Sequence, residues 1–169
     1  MRLRNAVSAD ASSLAALSME VWVGTYLRKG ISSFFADYAL AEFTVAKFRA
    51  VIEAEDDILI VSDNDEGIDG FIRVTFDSPS PGPDGSRTEI KTLYVQPRHH
   101  GKGIGKALLK EALAACAARG CGSVWLAVNS ENTAALAFYL ANGFQSVGQT
   151  HFRIADQAYL NEVMTRQLP

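Results

Sequence analysis

The segment Leu93-Tyr-Val-Gln-Pro-Arg-His-His-Gly-Lys-Gly-Ile-Gly-Lys106 joins a β-like run, a turn with three alternating glycines and the start of a helical pattern. This order predicts a strand that turns directly into a helix. Gly101, Gly103 and Gly105 remove every Cβ from one side of the turn. Consecutive backbone N–H groups can then approach an anion at the positive end of the helix. The segment therefore predicts a site for a phosphate or pyrophosphate group.

Two other glycine-rich phosphate loops fit this spacing poorly. A P-loop would need a glycine where His100 stands and a Ser or Thr where Ala107 stands. A dinucleotide-binding fingerprint starting at Gly101 would need a small residue at position 106, which is Lys. The remaining alternative is a tight strand-to-helix corner that binds nothing.

A second segment supports the binding interpretation. Val124-Trp-Leu-Ala-Val128 has the β-branched and aromatic content of a buried strand. It is followed by a stretch that contains Asn132, the pair Phe138-Tyr139 and the pair Gly143-Phe144. Two such segments in this order, separated by one helical pattern and one strand, are stronger evidence for a binding site than either segment alone.

Together the two segments resemble the acyl-CoA-binding motifs of the GCN5-related N-acetyltransferases. The motif of that family is an Arg or Gln, followed after two residues by a Gly and after one further residue by a Gly or Ala. In this chain Gly103 and Gly105 match the second and third positions, and His100 stands at the first in place of Arg or Gln. The resemblance implies that backbone amides bind the pyrophosphate of acetyl-CoA while Lys102 and Lys106 add positive charge. The residues that it assigns to acetyl-CoA are Leu93, Tyr94, Val95, His100, Gly101, Lys102, Gly103, Ile104, Gly105, Lys106, Asn132 and Tyr139.

The remaining sequence predicts one α/β (α+β) domain over residues 1–169. Strands are expected at 2–7, 58–62, 70–76, 87–95 and 123–128, with a terminal hairpin over 144–168 around Ala155-Asp-Gln157. Helices are expected at 9–27 with Ser8 as cap, at 32–54 with a break near Tyr38, at 104–119 and at 133–142. The order βααβββαβαββ is that of the acetyltransferase fold, a mixed, mostly antiparallel sheet of six or seven strands, splayed at its middle, with about four flanking helices. Residues 77–86, rich in Pro and Gly, predict a surface hairpin tip or a flexible flap.

Composition excludes several classes of function. The 169 residues carry a net charge of −3 and no basic run, so nucleic acid is not an expected partner. No apolar stretch is long enough to span a membrane, and a cytoplasmic location is expected.

Cys116 is expected to be a small buried residue, and Cys116 and Cys121 are expected to be neither catalytic nor bridged. No metal site is expected, and His99 and His100 are interpreted as turn residues.

Acetylation of an alkylamine requires a neutral nucleophile. An amine with a pKa of about 10.4 is mostly protonated at pH 7, and freeing its lone pair costs roughly 4 kcal/mol. Glu89 is the candidate base because it precedes Leu93 by four residues on the same strand face, and in GCN5-type histone acetyltransferases a Glu occupies the matching position. The alternative is a solvated Glu89 paired with Arg87 or Lys91. The ribosomal-protein N-terminal acetylases instead carry a Glu where Ala127 stands.

Tyr139 is the candidate group that hydrogen-bonds and protonates the departing CoA sulfur, because a phenol keeps its proton at neutral pH. The alternative is that Tyr139 only packs beside Phe138. Asn132 is expected to cap the short helix or to hold a pantetheine amide. The predicted reaction is direct transfer in a ternary complex, with a main-chain N–H near Val95 polarising the thioester carbonyl.

A finer resemblance, to the PaiA-type polyamine acetyltransferases, spans nearly the whole chain. It rests on Trp22-Val-Gly-Thr-Tyr26, Glu89 to Val95, Trp125 to Val128, Ala137-Phe-Tyr139 and the closing segment from His151. It departs at Asn129 and Ser130, where those proteins usually carry Trp and Glu. The resemblance implies a small-molecule amine acceptor.

Trp22 and Tyr26 lie at i and i+4 on one helix face and are candidate substrate-binding residues, or else core residues. Asp37, Glu89 and Asp156 are candidates for added negative charge. Protein acetylation and a non-catalytic acyl-CoA-binding module are the competing functions. A homodimer through the terminal hairpin is a further expectation.

Overall fold

The computed structural model describes all residues, 1–169, as seven strands and five α-helices. The strands are β1 (Arg2–Asn5), β2 (Asp57–Asn64), β3 (Gly67–Thr75), β4 (Glu89–Val95), β5 (Ser123–Asn129), β6 (Gln145–Ile154) and β7 (Gln157–Gln167). The helices are α1 (Ala11–Tyr26), α2 (Ser33–Glu42), α3 (Val45–Glu53), α4 (Ile104–Ala118) and α5 (Thr133–Ala141).

The strands form one sheet in the order β1-β2-β3-β4-β5-β7-β6. Strands β1 and β2, β5 and β7, and β6 and β7 pair antiparallel. Strands β4 and β5 pair in parallel where Glu89 lies opposite Trp125, and the Trp125 N–H donates to the Thr88 carbonyl at 2.9 Å. The predicted mixed, mostly antiparallel α/β fold is confirmed.

Contacts divide the chain into two compact units, Met1–Arg73 with Thr92–Ala112 and Val74–Lys91 with Leu113–Pro169. In the first unit, Leu14, Leu17 and Val21 of α1 are buried, as their spacing predicts. Phe71 of β3 is 1% exposed and packs edge-on against Phe48 and Tyr94, with ring centroids 5.9 and 5.7 Å away. Aromatic contacts of this kind dominate the energy of a small core.

The helical region between β1 and β2 differs from the prediction in two places. Ser8 lies inside a 3₁₀ turn, Ser8–Asp10, instead of capping a long helix, and it is the Asp10 carboxylate that accepts the Val7 N–H at 2.8 Å. The break expected near Tyr38 occurs at Phe43-Thr44, where the Thr44 hydroxyl accepts the Lys47 N–H at 3.2 Å and caps α3. A Thr that caps a helix creates the break because its side chain replaces a missing backbone partner.

The N-terminal strand is held by an ion-pair cluster. Asp63, only 6% exposed, accepts hydrogen bonds from Arg2 and Arg4, and Arg4 also binds Asp10. These guanidinium partners hold the carboxyl pKa values of Asp63 and Asp10 below their usual range. The cluster fixes β1 against β2 at the edge of the sheet.

In the second unit, α4 and α5 end in the same way. Each helix closes with a six-residue turn in which the N–H of the sixth residue donates to the carbonyl of the first. These bonds are Cys121 N–H to Cys116 O at the end of α4 and Phe144 N–H to Tyr139 O at the end of α5, both at 3.1 Å. A glycine with positive φ precedes the donor in both cases, Gly120 at 81° and Gly143 at 84°. This is the Schellman motif, which brings the side chains of its first and sixth residues together.

The segment 77–86 is an ordered hairpin tip, as one of the two interpretations expected. Ser78 N donates to Arg87 O and Ser80 N donates to Ser86 O, both at 2.8 Å. Asp84 stabilises the tip by accepting the Ser80 hydroxyl at 2.6 Å and the Ser86 N–H at 3.3 Å.

Candidate functional site

The glycine turn joins the end of β4 to the start of α4. A 3₁₀ turn, Pro97–His99, follows β4, and Gly101 and Gly103 then adopt left-handed conformations with φ of 78° and 82°. A Cβ placed on either glycine would meet no atom within 4 Å, so that side of the turn is open. An open turn with left-handed glycines at a helix N-terminus offers its N–H groups to an anion.

The side chains around this turn are partly engaged with one another. The His100 Nε2–H donates to the Val95 carbonyl at 2.9 Å, and the Lys102 Nζ lies 3.1 Å from His99 Nδ1. Lys102 and Lys106 are exposed. His100, which stands where the family carries Arg or Gln, therefore ties the turn to the last residue of β4, and the two lysines supply the positive charge.

Gly70 was not among the predicted site residues, yet it positions the end of β4. A Cβ at Gly70 would lie 3.0 Å from the Tyr94 carbonyl oxygen and 3.3 Å from Ile104 Cγ2. The neighbouring Asp69 carbonyl accepts the Gln96 N–H at 2.9 Å. An isolated glycine within a strand pattern is the sequence signal for such a close approach.

Tyr139 is held by the end of its own helix. It is 9% exposed, and its ring centroid lies 5.2 Å from that of Phe138 and 5.5 Å from that of Phe144. Phe144 reaches Tyr139 because the two are the sixth and first residues of the Schellman motif at the end of α5. The Phe-Tyr and Gly-Phe pairs of the sequence motif thus form one packed cap.

Asn132 begins α5. Its side-chain oxygen accepts the Ala135 N–H at 3.2 Å, which confirms the capping role predicted for it. The preceding Asn129 carbonyl accepts the Asn132 N–H at 2.9 Å, and the Asn129 side chain accepts the Glu131 N–H. The turn between β5 and α5 is therefore closed by asparagine side chains.

Glu89 begins β4 with its side chain only 14% exposed. The Ser78 hydroxyl donates to Glu89 Oε2 at 2.6 Å, and the Lys91 Nζ lies 3.7 Å from the same oxygen. The expected alternative pairing with Arg87 is wrong, because Arg87 binds Asp77 across the base of the hairpin tip. Glu89 is thus a nearly buried carboxylate with a defined orientation, and not a solvated residue at the end of a strand.

Trp22 and Tyr26, the candidate acceptor residues, lie together but differ in exposure. Their ring centroids are 5.9 Å apart. Trp22 is 7% exposed and also packs against Phe35, Tyr38 and Phe43, whereas Tyr26 is 44% exposed. Trp22 belongs to an aromatic cluster between helices, and Tyr26 presents its ring at the edge of that cluster. Asp37 and Asp156 are exposed.

The two cysteines occupy the Schellman motif at the end of α4. Cys116 is fully buried, as predicted, and both thiols are free. Cys121 is half-buried, with its sulfur 3.3 Å from the Thr88 hydroxyl. Burial raises the pKa of the Cys116 thiol to about 12.

This difference predicts unequal thiol reactivity. Because the thiolate is the reactive form, native protein treated with a chromogenic disulfide reagent at pH 8 should release about one equivalent quickly from Cys121, with Cys116 at least about 100-fold slower. Cys121→Ser should abolish the fast phase, and denaturant should expose the second thiol. Fast release of two equivalents from native protein would contradict the buried position of Cys116.

Comparison with known proteins agrees with this geometry. Residues 20–144 match the Acetyltransferase (GNAT) family. An uncharacterized N-acetyltransferase of Mycobacterium tuberculosis is 28% identical over 159 residues, 94% of this chain and 98% of that one. The N-alpha-acetyltransferase RimI of the same organism is 45% identical over 69 residues, 40% of this chain and 42% of that one.

The fold is shared with the PaiA N-acetyltransferase of Thermoplasma acidophilum, solved in complex with coenzyme A. The TM-score is 0.80 at 21% identity, over 98% of each chain. The chain belongs to the GNAT family of acetyltransferases. The family match and the relatives described as N-acetyltransferases show that it is an N-acetyltransferase. None of its helices combines the length and apolar character needed to cross a membrane.

Proposed function

We propose that this protein transfers an acetyl group from acetyl-CoA to a primary amine of a small molecule. The observation that carries the proposal is the open turn at residues 100–106, where left-handed Gly101 and Gly103 precede α4 and an added Cβ on either glycine would meet no atom within 4 Å. The turn fits a pyrophosphate, because it combines main-chain donors, a helix N-terminus and the exposed charges of Lys102 and Lys106. The proposal treats residues 1–169 as one acetyltransferase domain.

The chemistry proposed is direct attack of the amine on the thioester carbonyl. Glu89, directly or through water, takes the proton from the ammonium group, and a main-chain N–H near Val95 stabilises the developing oxyanion. Tyr139 donates its phenolic proton to the departing CoA sulfur, while Asn132 holds a pantetheine amide. An acyl-enzyme is not needed, and the full burial of Cys116 supports its exclusion as a nucleophile.

For the acceptor, a polyamine is the first candidate. A cationic amine is attracted to the face of an aromatic ring, and Tyr26 presents such a ring at the edge of the aromatic cluster. Trp22 packs against the Tyr26 ring and, because it is nearly buried, does not itself contact the amine.

A second candidate acceptor is a peptide N-terminus. The observation that favours it is the 45% identity over 69 residues to a relative named as an N-alpha-acetyltransferase.

We also propose that a homodimer forms through the β6–β7 hairpin, on which Phe152 and Leu160 are 37% and 39% exposed.

The test is release of free thiol from acetyl-CoA by purified protein with a panel of acceptors. The panel contains spermidine, spermine, single amino acids, aminoglycosides and short peptides with different first residues. Turnover on a small amine supports the proposal, and turnover on peptides alone replaces it with the second candidate. A silent panel, with CoA still raising the melting temperature, would favour a protein acceptor or an acyl-CoA-binding module instead.

A further inference from the structure

Ser78 makes three directional hydrogen bonds just after β3. Its N–H donates to the Arg87 carbonyl at 2.8 Å, and its carbonyl accepts the indole N–H of Trp125 at 2.7 Å. Its hydroxyl donates to Glu89 Oε2 at 2.6 Å. The backbone of Ser78 is therefore fixed from two sides, which holds its hydroxyl within hydrogen-bond reach of Glu89.

The two oxygens of Glu89 have different surroundings. Oε2 receives the Ser78 hydroxyl and lies 3.7 Å from the Lys91 ammonium group. Oε1 accepts no hydrogen bond from the protein. A carboxylate held by one oxygen keeps the lone pairs of the other for a proton, which is what a general base requires.

Trp125 connects this arrangement to the sheet. It lies opposite Glu89 in the parallel pairing of β4 and β5, and its main-chain N–H donates to Thr88 next to Glu89. Trp125 is 6% exposed, so its indole N–H needs a buried partner, and the Ser78 carbonyl is that partner. One side chain thus sets the distance between the hairpin tip and the start of β4.

We infer that Ser78 is the positioning residue for Glu89: anchored by Trp125, it holds Oε2 and leaves Oε1 as the oxygen that accepts the proton of the acceptor amine. The inference rests on the proposed function, since it gives Glu89 the role of base. Ser78 touches neither the amine nor the thioester and acts only through the carboxylate. In this step one N–H bond of the ammonium group breaks and an O–H bond forms at Oε1, and the electron pair of the broken bond stays on the nitrogen that then attacks the thioester.

The chain offers a matched control two residues away. Ser80 lies in the same hairpin tip, is half-buried like Ser78 and donates its hydroxyl at the same 2.6 Å distance, but to Asp84. Ser80→Ala removes the same chemical group from the same hairpin tip and leaves Glu89 untouched. If a fall in kcat came only from disorder of the hairpin tip, it should appear in both Ser78→Ala and Ser80→Ala.

The experiment measures kcat and the KM for acetyl-CoA with the amine that gives the highest turnover, in Ser78→Ala, Ser78→Thr, Ser80→Ala and Trp125→Phe. Ser78→Ala should lower kcat about tenfold with an unchanged KM for acetyl-CoA, because a hydrogen bond to a charged group is lost. Ser78→Thr keeps the hydroxyl and should restore most of the rate. Trp125→Phe should lower kcat a few-fold, and Ser80→Ala should match the wild type. Melting curves confirm that each variant is folded.

A double-mutant cycle with Glu89→Gln separates positioning from a structural role. If Ser78 acts through the carboxylate, Ser78→Ala should cause no further loss in the Glu89→Gln background. Equal losses in both backgrounds, or a Ser80→Ala effect as large as that of Ser78→Ala, would overturn the inference. Wild-type rates in Glu89→Gln would overturn the base assignment and the inference together. Failure of the proposed function itself is seen separately, as an absence of turnover by the wild-type protein.

Discussion

Tyr139→Phe should lower kcat by about a hundredfold while leaving the melting temperature and the KM for acetyl-CoA nearly unchanged. In the proposed reaction negative charge develops on the CoA sulfur as it leaves, and a proton donated by Tyr139 in the transition state would neutralise that charge and lower the barrier. The variant keeps the aromatic ring that packs against Phe138 and Phe144, so the cap at the end of α5 should stay intact. The loss is therefore confined to one hydroxyl.

Steady-state kinetics across several acetyl-CoA concentrations would measure this effect. Tyr159→Phe is the matched control, because Tyr159 is a half-buried phenol on β7 without a proposed role in catalysis. Wild-type kcat in Tyr139→Phe would show that Tyr139 contributes packing alone. A raised KM with unchanged kcat would place its hydroxyl on the bound cofactor and not on the leaving sulfur.

Gly103→Ala should weaken CoA binding by about ten- to a hundredfold. At a φ of 82° an Ala costs about 1–2 kcal/mol, so the turn relaxes and its N–H groups lose their common direction. Each hydrogen bond to a charged oxygen that is lost in this way is worth about 1.5–3 kcal/mol. The added methyl meets no atom of the protein within 4 Å, so steric damage within the turn does not explain the loss.

The control for this variant lies at the other end of the same helix. Gly120 has a φ of 81° and equally open surroundings, so Gly120→Ala carries a similar conformational cost. Titration calorimetry with CoA should give wild-type affinity for Gly120→Ala and a weakened affinity for Gly103→Ala, at similar melting temperatures. Equal affinities in the two variants would remove the turn from the cofactor site.

The central motifs were predictable because each is a local backbone device. A strand, alternating glycines and a helix are consecutive in sequence, and the structure places β4, the turn and α4 within a residue or two of the predicted bounds at their junction. Asn132 as cap and Cys116 as a buried residue were predictable for the same reason. In both cases the evidence lies within one helix.

What could not be predicted depends on which residues meet across the sheet. Ser78 stood in a Pro- and Gly-rich loop with no sign of a partner, and its contact with Glu89 follows from the pairing of β4 with β5 and from the indole of Trp125. The pairing of Arg87 with Asp77 and not with Glu89 also follows from hairpin register. The break at Thr44 was missed because the apolar pattern continues through it, and only the cap marks it.

The cap at the end of α5 bears on how the family's sequence signature is used. Gly143 and Phe144 satisfy the closing turn and pack on the ring of Tyr139. A search that counts every residue of the signature as a ligand contact would assign binding roles to residues whose contacts here are with the protein itself. A designer who wished to transplant this phenol into another scaffold would have to move the six residues 139–144 as one piece.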